Sequence, residues 1–200
     1  LDVKINLRLA IYKDINEVSK LHYQYIPSGF LSSLGISFLN LLYKSMIDSK
    51  YAFCIVVEEE GKIIGFVSGT VSVGGFYKEF LKKNFLMASI ILLPKFLNLK
   101  IARRIFETFF YPVKKEQNLP NAELLSIVVE KNYQGKGISQ KLFERLVEEF
   151  SKKGINQFKV VVGSNLIPAC KFYEKMGGVL QQEIEIHKGE KSRVYVWEMI

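Results

Sequence analysis

The sequence predicts a mixed α/β fold, with a central sheet of about seven strands flanked by helices. Three observations point there. Short runs that alternate apolar and polar residues, or are apolar throughout, recur along the 200 residues and have the lengths of strands. Stretches with apolar residues at helical spacing lie between them. In the second half of the chain an apolar run, a turn with two glycines and a long amphipathic pattern follow one another directly, which reads as strand, turn, helix.

Taken in order, Ile5-Asn6-Leu7-Arg8-Leu9-Ala10-Ile11 alternates as an opening strand. Asp14 and Glu17 form a D-x-x-E helix-start signal, with Ile15, Val18, Leu21 and Tyr25 spaced for one face. Pro27-Ser28-Gly29 breaks that helix. A second helical pattern puts Ile36, Leu39, Leu42, Tyr43, Met46 and Ile47 on one side. Residues 52–58 and 63–71 read as a hairpin across Glu60-Gly61-Lys62. Residues 74–121 then intervene, too many for a structureless connection in a compact domain, and are expected to form a helical insertion. Within it, the apolar run 85–93 is too short to span a bilayer and is expected to end at Pro94-Lys95. A strand at 124–129 and a helix at 138–153 follow. In that helix Ile138, Leu142, Phe143, Leu146, Val147 and Phe150 share a face, and Lys141, Glu144, Arg145, Glu148, Glu149, Lys152 and Lys153 lie away from it. Glu148–Lys152 and Glu149–Lys153 are i,i+4 pairs, and Gly154 is placed to cap the helix. Residues 158–162 form a strand, Asn165 leads into a short helix, and strands at 184–187 and 193–197 join around Lys188-Gly189. The order is β-α-α-β-β, insertion, β-α-β-α-β-β. No repeat, low-complexity tract or linker interrupts it, so one domain over residues 1–200 is expected, with 74–121 as its insertion.

The glycine-bearing turn is Asn132-Tyr133-Gln134-Gly135-Lys136-Gly137-Ile138-Ser139, after Leu124-Leu125-Ser126-Ile127-Val128-Val129. A helix start exposes backbone N–H groups without intrahelical partners and with a partial positive charge. Glycines there let a phosphate reach the main chain, so the turn suits a phosphorylated ligand. The dinucleotide fingerprint G-x-G-x-x-G fails, because Gln140 stands at its third glycine, and no stretch supplies the P-loop pattern. Read from Gln134 to Ser139, the turn resembles the Q/R-x-x-G-x-G/A acetyl-coenzyme A signature of the GNAT superfamily of N-acetyltransferases. Downstream, Asn165 followed by Ala169-Cys170-Lys171-Phe172-Tyr173-Glu174-Lys175-Met176-Gly177 is similar to that family's second signature, at the distance of a strand–helix–strand crossover. The specific resemblance covers residues 123–178.

The resemblance implies a mixed, mostly antiparallel sheet. It also implies an acetyl-coenzyme A-dependent N-acetyltransferase, which passes the acetyl group to the amine of a small molecule by direct attack on the thioester. Acetyl-coenzyme A is then the co-substrate, and no metal is involved. A non-catalytic coenzyme A-binding or interaction module with the same fold stays open. Family members usually cross from the third to the fourth strand by a short turn, so the insertion is a departure.

By the same resemblance, backbone N–H groups of Gln134, Gly135, Lys136, Gly137, Ile138 and Ser139 cradle the pyrophosphate. Ser139 replaces the usual Gly or Ala but is small, and its hydroxyl can donate to a phosphate. Lys136 adds a charge, with a solvent-facing role equally open, and Lys131 stands where many members have Pro. Ile127, Val128 and Val129 offer main-chain bonds to the pantetheine arm, a role compatible with a plain buried strand. Tyr173 is the general acid near the cofactor sulfur, since a phenol of pKa about 10 can donate to a thiolate whose acid lies near about 8.5. The alternative for Tyr173 is an ordinary apolar stripe with Ala169, Phe172 and Met176. Asn165 caps its helix and contacts the cofactor. Glu123, on the alternating face of Leu125, Ile127 and Val129, is the candidate base, with a solvated strand-end carboxylate as the equal alternative. Ser126, on the other face, is the lesser candidate.

Cys54 and Cys170 suggest neither a disulfide framework nor metal spacing and read as buried thiols. His22 and His187 are too isolated for a metal site and read as surface or packing residues. No secretory pattern opens the sequence, so a reducing cytoplasm is the expected compartment. A net charge of +8 favours acidic partners, but no nucleic-acid motif is present and no nucleic acid is expected. Residues 74–121 hold nine basic and three acidic residues, a net +6. The insertion therefore either packs an apolar face on the domain and solvates a basic one, walls the acceptor pocket, or touches an anionic membrane through 78–115. These roles are compatible. Exposed terminal strands could pair two copies as a homodimer.

Overall fold

The structure is a computed structural model that describes residues 5–96, 119–187 and 190–199. The turn expected at Lys188-Gly189 and the remainder of the insertion, 97–118, lie outside the described residues. One seven-stranded sheet organises the rest, in the order β1-β2-β3-β4-β5-β7-β6. Its strands are β1 (Ile5–Leu9), β2 (Ala52–Glu59), β3 (Lys62–Thr70), β4 (Glu123–Val129), β5 (Gln157–Gly163), β6 (Val179–His187) and β7 (Glu190–Glu198). Every neighbouring pair is antiparallel except β4 with β5. Six α-helices are described: α1 (Ile15–Tyr25), α2 (Phe30–Ser33), α3 (Ile36–Ile47), α4 (Val73–Phe96), α5 (Ile138–Lys152) and α6 (Ile167–Lys175).

The sheet is covered on both faces, which is why β2 reads as an unbroken apolar run. Its alternate residues enter different cores. Phe53, Ile55 and Val57 pack with Leu142, Leu146 and Phe150 of α5 and with Phe158, Tyr173 and Trp197. Ala52, Cys54 and Val56 pack with Val18 of α1, Phe38, Leu39 and Tyr43 of α3, and Phe76 and Phe80 of α4. Both cysteines are free and buried, as expected.

Local chemistry sets the helix boundaries. Helix α5 ends in a left-handed Gly154 (φ 70°). Its C-terminal carbonyls are closed by Gly154 N–H to Ser151 O at 2.9 Å and Ile155 N–H to Phe150 O at 3.1 Å, the paired bonds of a Schellman cap. The outer face departs from its expected pattern at Glu149, which is 7% exposed. Arg145 and Lys153 flank that carboxylate at 3.3 and 3.6 Å, so two neighbouring cations cover it instead of water. Glu148 lies 3.7 Å from Arg145.

Four other expectations are corrected. Asp14 makes no side-chain cap on α1. It turns back to β1, where it pairs with Arg8 at 2.6 Å and accepts the Ile11 N–H at 2.9 Å. Burial pushes its carboxyl up, but those hydrogen bonds outweigh burial and hold it below the ordinary range. In α3, Phe38 is fully buried while Ile36 is 36% exposed, because α4 packs on the Phe38 side through Phe80. Helix α4 runs through Pro94 to Phe96; a missing N–H removes one intrahelical bond, which need not end a helix. Nor is its outer face uniformly basic. Lys78, Lys82 and Lys83 are exposed in its first half, but Phe85, Leu86, Met87, Ile90 and Leu93 are exposed in its second.

Gly69 on β3 lets α5 approach the sheet. A Cβ there would lie 2.8 Å from the Phe53 ring and 3.1 Å from both Leu146 and Phe150. Gly69→Ala should therefore overpack this contact and lower stability by about 1–3 kcal/mol, read as a lower urea midpoint.

Candidate functional site

Parallel pairing between β4 and β5 is confined to Glu123 with Lys159 and Leu124 with Val160. Past those two registers the strands part. A cavity of about 650 Å³ occupies the gap, lined by Leu125, Ser126 and Ile127 on one side and Val161, Val162 and Gly163 on the other. A crevice at the carboxyl ends of parallel strands is where α/β sheets bind ligands.

A bulge shapes the β4 side. Ser68 pairs with Ser126 and Gly69 with Leu124, which leaves Leu125 as an extra residue without a β3 partner. The expected face shared by Glu123, Leu125, Ile127 and Val129 is thereby broken. Ile127 and Val129 pack in the α5 core with Leu124, while Leu125 packs in the opposite core with Val128. One inserted residue shifts the two-residue alternation by one step.

The glycine turn sits at the carboxyl end of β4. Gly135 and Gly137 both take left-handed φ, 77° and 76°, and Gly137 is the N-cap of α5. The Gln134 amide donates to Val129 O at 2.9 Å, which ties the turn to the strand. Ile138 is buried and anchors the helix start, while Ser139 is half-buried. The first N–H groups of α5 thus meet a glycine-lined surface with no side chain in the way. Lys136 is exposed, with its ammonium 5.0 Å from the centre of the Tyr133 ring.

On the far wall, Tyr173 lines the cavity and is 5% exposed. Phe172, Tyr195 and Trp197 surround its ring, and among the described residues its hydroxyl makes no protein hydrogen bond. Burial pushes its phenol well up, so the group keeps its proton. Asn165 does not join it. That residue is exposed, and the N-cap of α6 is Leu166, without a side-chain cap. Leu166, Pro168 and Ala169 line the cavity instead. Eight residues bring two positions into phase only inside one helix, and Asn165 precedes α6. Glu123 lines the cavity near its closed end, with Oε2 3.7 Å from Nζ of Lys159. Lys159 is fully buried in β5 and donates to Pro120 O at 2.6 Å.

The opposite wall comes from helices that the signatures do not reach. His22, Tyr25, Phe30, Tyr43, Phe76 and Tyr77 line it. His22 is 2% exposed, with Nδ1 2.7 Å from the Tyr43 hydroxyl and its ring stacked at 6.2 Å on Phe66. Its sequence signal was its place four residues after Val18, on the apolar stripe of α1. Among the described residues no set of His, Cys, Asp and Glu is able to hold a metal ion.

A family model described as Acetyltransferase (GNAT) family matches residues 19–178. No curated protein sequence matches the chain. Solved structures share its fold at low identity. An N-acetyltransferase from Staphylococcus aureus Mu50 is 22% identical with a TM-score of 0.66, over 96% of this chain and 100% of that one. The yncA protein of Salmonella typhimurium, solved with its cofactor acetyl-CoA, is 12% identical with a TM-score of 0.62, over 98% and 94%. Arabidopsis thaliana Naa50, in complex with the bisubstrate analogue CoA-Ac-MVNAL, is 14% identical with a TM-score of 0.61, over 98% and 100%. The chain belongs to the GNAT acetyltransferase family. Among the described residues no helix is long and apolar enough to cross a membrane.

Burial lowers the His22 pKa to about 4 from its usual 6.5. As pH falls through this window the unfolded chain takes the proton first, so His22 removes stability between about pH 6.5 and pH 4. His22→Gln abolishes that contribution. The stability gap between wild type and variant should therefore shrink as pH drops across the window, measured by urea unfolding at several pH values.

Proposed function

We propose that this chain is an acetyl-coenzyme A-dependent N-acetyltransferase that acetylates the amine of a small-molecule acceptor by direct attack on the thioester. The observation that carries this reading is the parting of β4 from β5, with a glycine-lined helix start at the mouth and Tyr173 in the wall. The residues present fit such a cofactor: the turn leaves room for a diphosphate, and the slot is open along β4. Two cores on one continuous sheet support reading the chain as a single domain.

Acetyl-coenzyme A, when bound, supplies an acyl carbon open to attack by a neutral amine. Main-chain N–H groups of residues 134–139 would hold its diphosphate. The main chain of Ile127, Val128 and Val129 would bind the pantetheine arm as an added strand does. The bulge at Leu125 takes main-chain groups off the β3 ladder beside the slot, where an N–H can stabilise charge developing on the carbonyl oxygen. Bond formation from nitrogen to carbon and cleavage of carbon from sulfur require two proton movements. Glu123 accepts the proton of the amine, directly or through water, and the Tyr173 hydroxyl donates one to the departing thiolate. Its raised pKa keeps the hydroxyl protonated, which leaves a proton to give and excludes it as the base, while making it a weaker acid than an ordinary phenol. Lys136, exposed beside the turn, adds attraction for phosphate, and Asn165, exposed ahead of α6 between the lining residues Gly163 and Leu166, would contact the cofactor.

Calorimetry should show binding of acetyl-coenzyme A, and a thiol-release assay over a panel of amines should show turnover. Binding without turnover on any amine would instead identify a non-catalytic coenzyme A module. Tyr173→Phe should lower kcat about 100-fold while changing cofactor affinity less than about threefold. An unchanged kcat would remove the acid assignment. Gly137→Val forces a branched side chain into left-handed φ at the helix start and should weaken cofactor binding by about tenfold or more.

A further inference from the structure

We infer that Ser126 holds the acceptor amine by accepting a hydrogen bond from it, and that Tyr43 and His22 are positioning residues that fix the direction of the Ser126 hydroxyl. The assignment rests on the N-acetyltransferase reading above. The bulge at Leu125 makes it possible. Glu123 pairs with Thr70 and Ser126 with Ser68, and Thr70 and Ser68 are two residues apart on β3. Glu123 and Ser126 therefore share a face of the sheet, although plain alternation would put them on opposite ones. Ser68 pairs in turn with Cys54 of β2, which lies in the core with Val18 of α1 and Tyr43 of α3. The shared face is thus the one those helices cover. Half-buried Ser126 lines the cavity there with His22, Tyr43 and Glu123.

The polarity of the chain follows from its two buried members. Tyr43 is buried, and its hydroxyl lies 2.7 Å from Nδ1 of His22. Burial pushes the Tyr43 phenol well up and Cys54 adds to that, whereas hydrogen bonding from Ser126 draws it back. Such a bond favours the ionised phenol only when it is donated to the phenol oxygen, so Ser126 O–H donates to Tyr43. Buried His22 is neutral and keeps one ring nitrogen as an acceptor. The single Tyr43 proton goes to that nitrogen, Nδ1, and the lone pairs of Ser126 are left for a donor in the cavity. A neutral primary amine supplies one N–H to Ser126 and turns the other toward Glu123 on the same face. Its lone pair stays free for the thioester carbon. A serine hydroxyl able to rotate would donate to that lone pair and quench it, so the fixed direction favours attack.

Thiol release at saturating acetyl-coenzyme A tests this with 2-phenylethylamine, spermidine and glucosamine as acceptors. For the acceptor that the wild type turns over fastest, Ser126→Ala and Tyr43→Phe should each lower kcat/KM about tenfold. Cofactor affinity by calorimetry should change less than about twofold. Both residues act through one hydroxyl, so the double variant should lose no more than about twofold beyond either single one. An unchanged kcat/KM in Ser126→Ala, or losses that multiply in the double variant, overturn the assignment and leave N-acetyl transfer standing. No release with any of the three, while calorimetry shows the thioester bound, overturns both. Nitrogen NMR of the imidazole rings reads the chain without turnover, with His22→Gln separating the His22 signals from those of His187. Nδ1 of His22 should carry no proton. A protonated Nδ1 reverses the chain and overturns the assignment.

Discussion

The short parallel pairing of β4 with β5 is the constraint on which the rest of the molecule depends. A sheet that stayed paired along both strands would have no slot, and a sheet that never paired would have no common core. Two registers suffice because the contact is supported elsewhere. Behind it, α5 lies against β2, β3 and β4, brought close by Gly69, and its side chains reach Phe158 on β5. On the far side β5 is fully paired with β7 from Gln157 to Gly163, so its direction is held without help from β4. Helix packing and the β7 ladder replace the missing bonds, and the slot stays open.

The polar groups that face this slot are held mostly without charge. His22 is neutral because it is buried, and Tyr173 keeps its proton for the same reason. Such a site has low local polarisability, where a well-placed hydrogen-bond donor acts more strongly on developing charge than it would in water. The charged pair Glu123 and Lys159 sits at the closed end, with Lys159 itself tied to Pro120 O. Charge is therefore concentrated at one end of the cavity and aromatic and aliphatic surface along the wall made by the helices.

Much of this was legible from residues alone, for identifiable reasons. The α5 stripe, its glycine cap and the turn from Gln134 to Ser139 depend on contacts within a few residues, and each falls where its spacing puts it. The seven strands and the place of the insertion follow from run lengths in the same way. What was not legible needed a distant partner. Asp14 looks like a helix cap until Arg8 is placed beside it, and Glu149 looks solvated until Arg145 and Lys153 close over it. The bulge at Leu125 leaves no mark in the sequence, since alternation is counted along one strand and a bulge is defined by its neighbour. Asn165 fits a signature yet makes no cap on α6, and the aromatic wall of the cavity is assembled from four helices with no motif between them.

The two-register junction also bears on cooperativity. It divides the sheet into a four-stranded ladder, β1 to β4, and a three-stranded ladder of β5, β7 and β6, with α5 spanning both. Elements linked by few main-chain bonds can open as separate blocks with their own free energies. Amide exchange would then show two protection levels, one for each ladder, and a ligand lying in the slot would fuse them into one by supplying the strand that the sheet lacks.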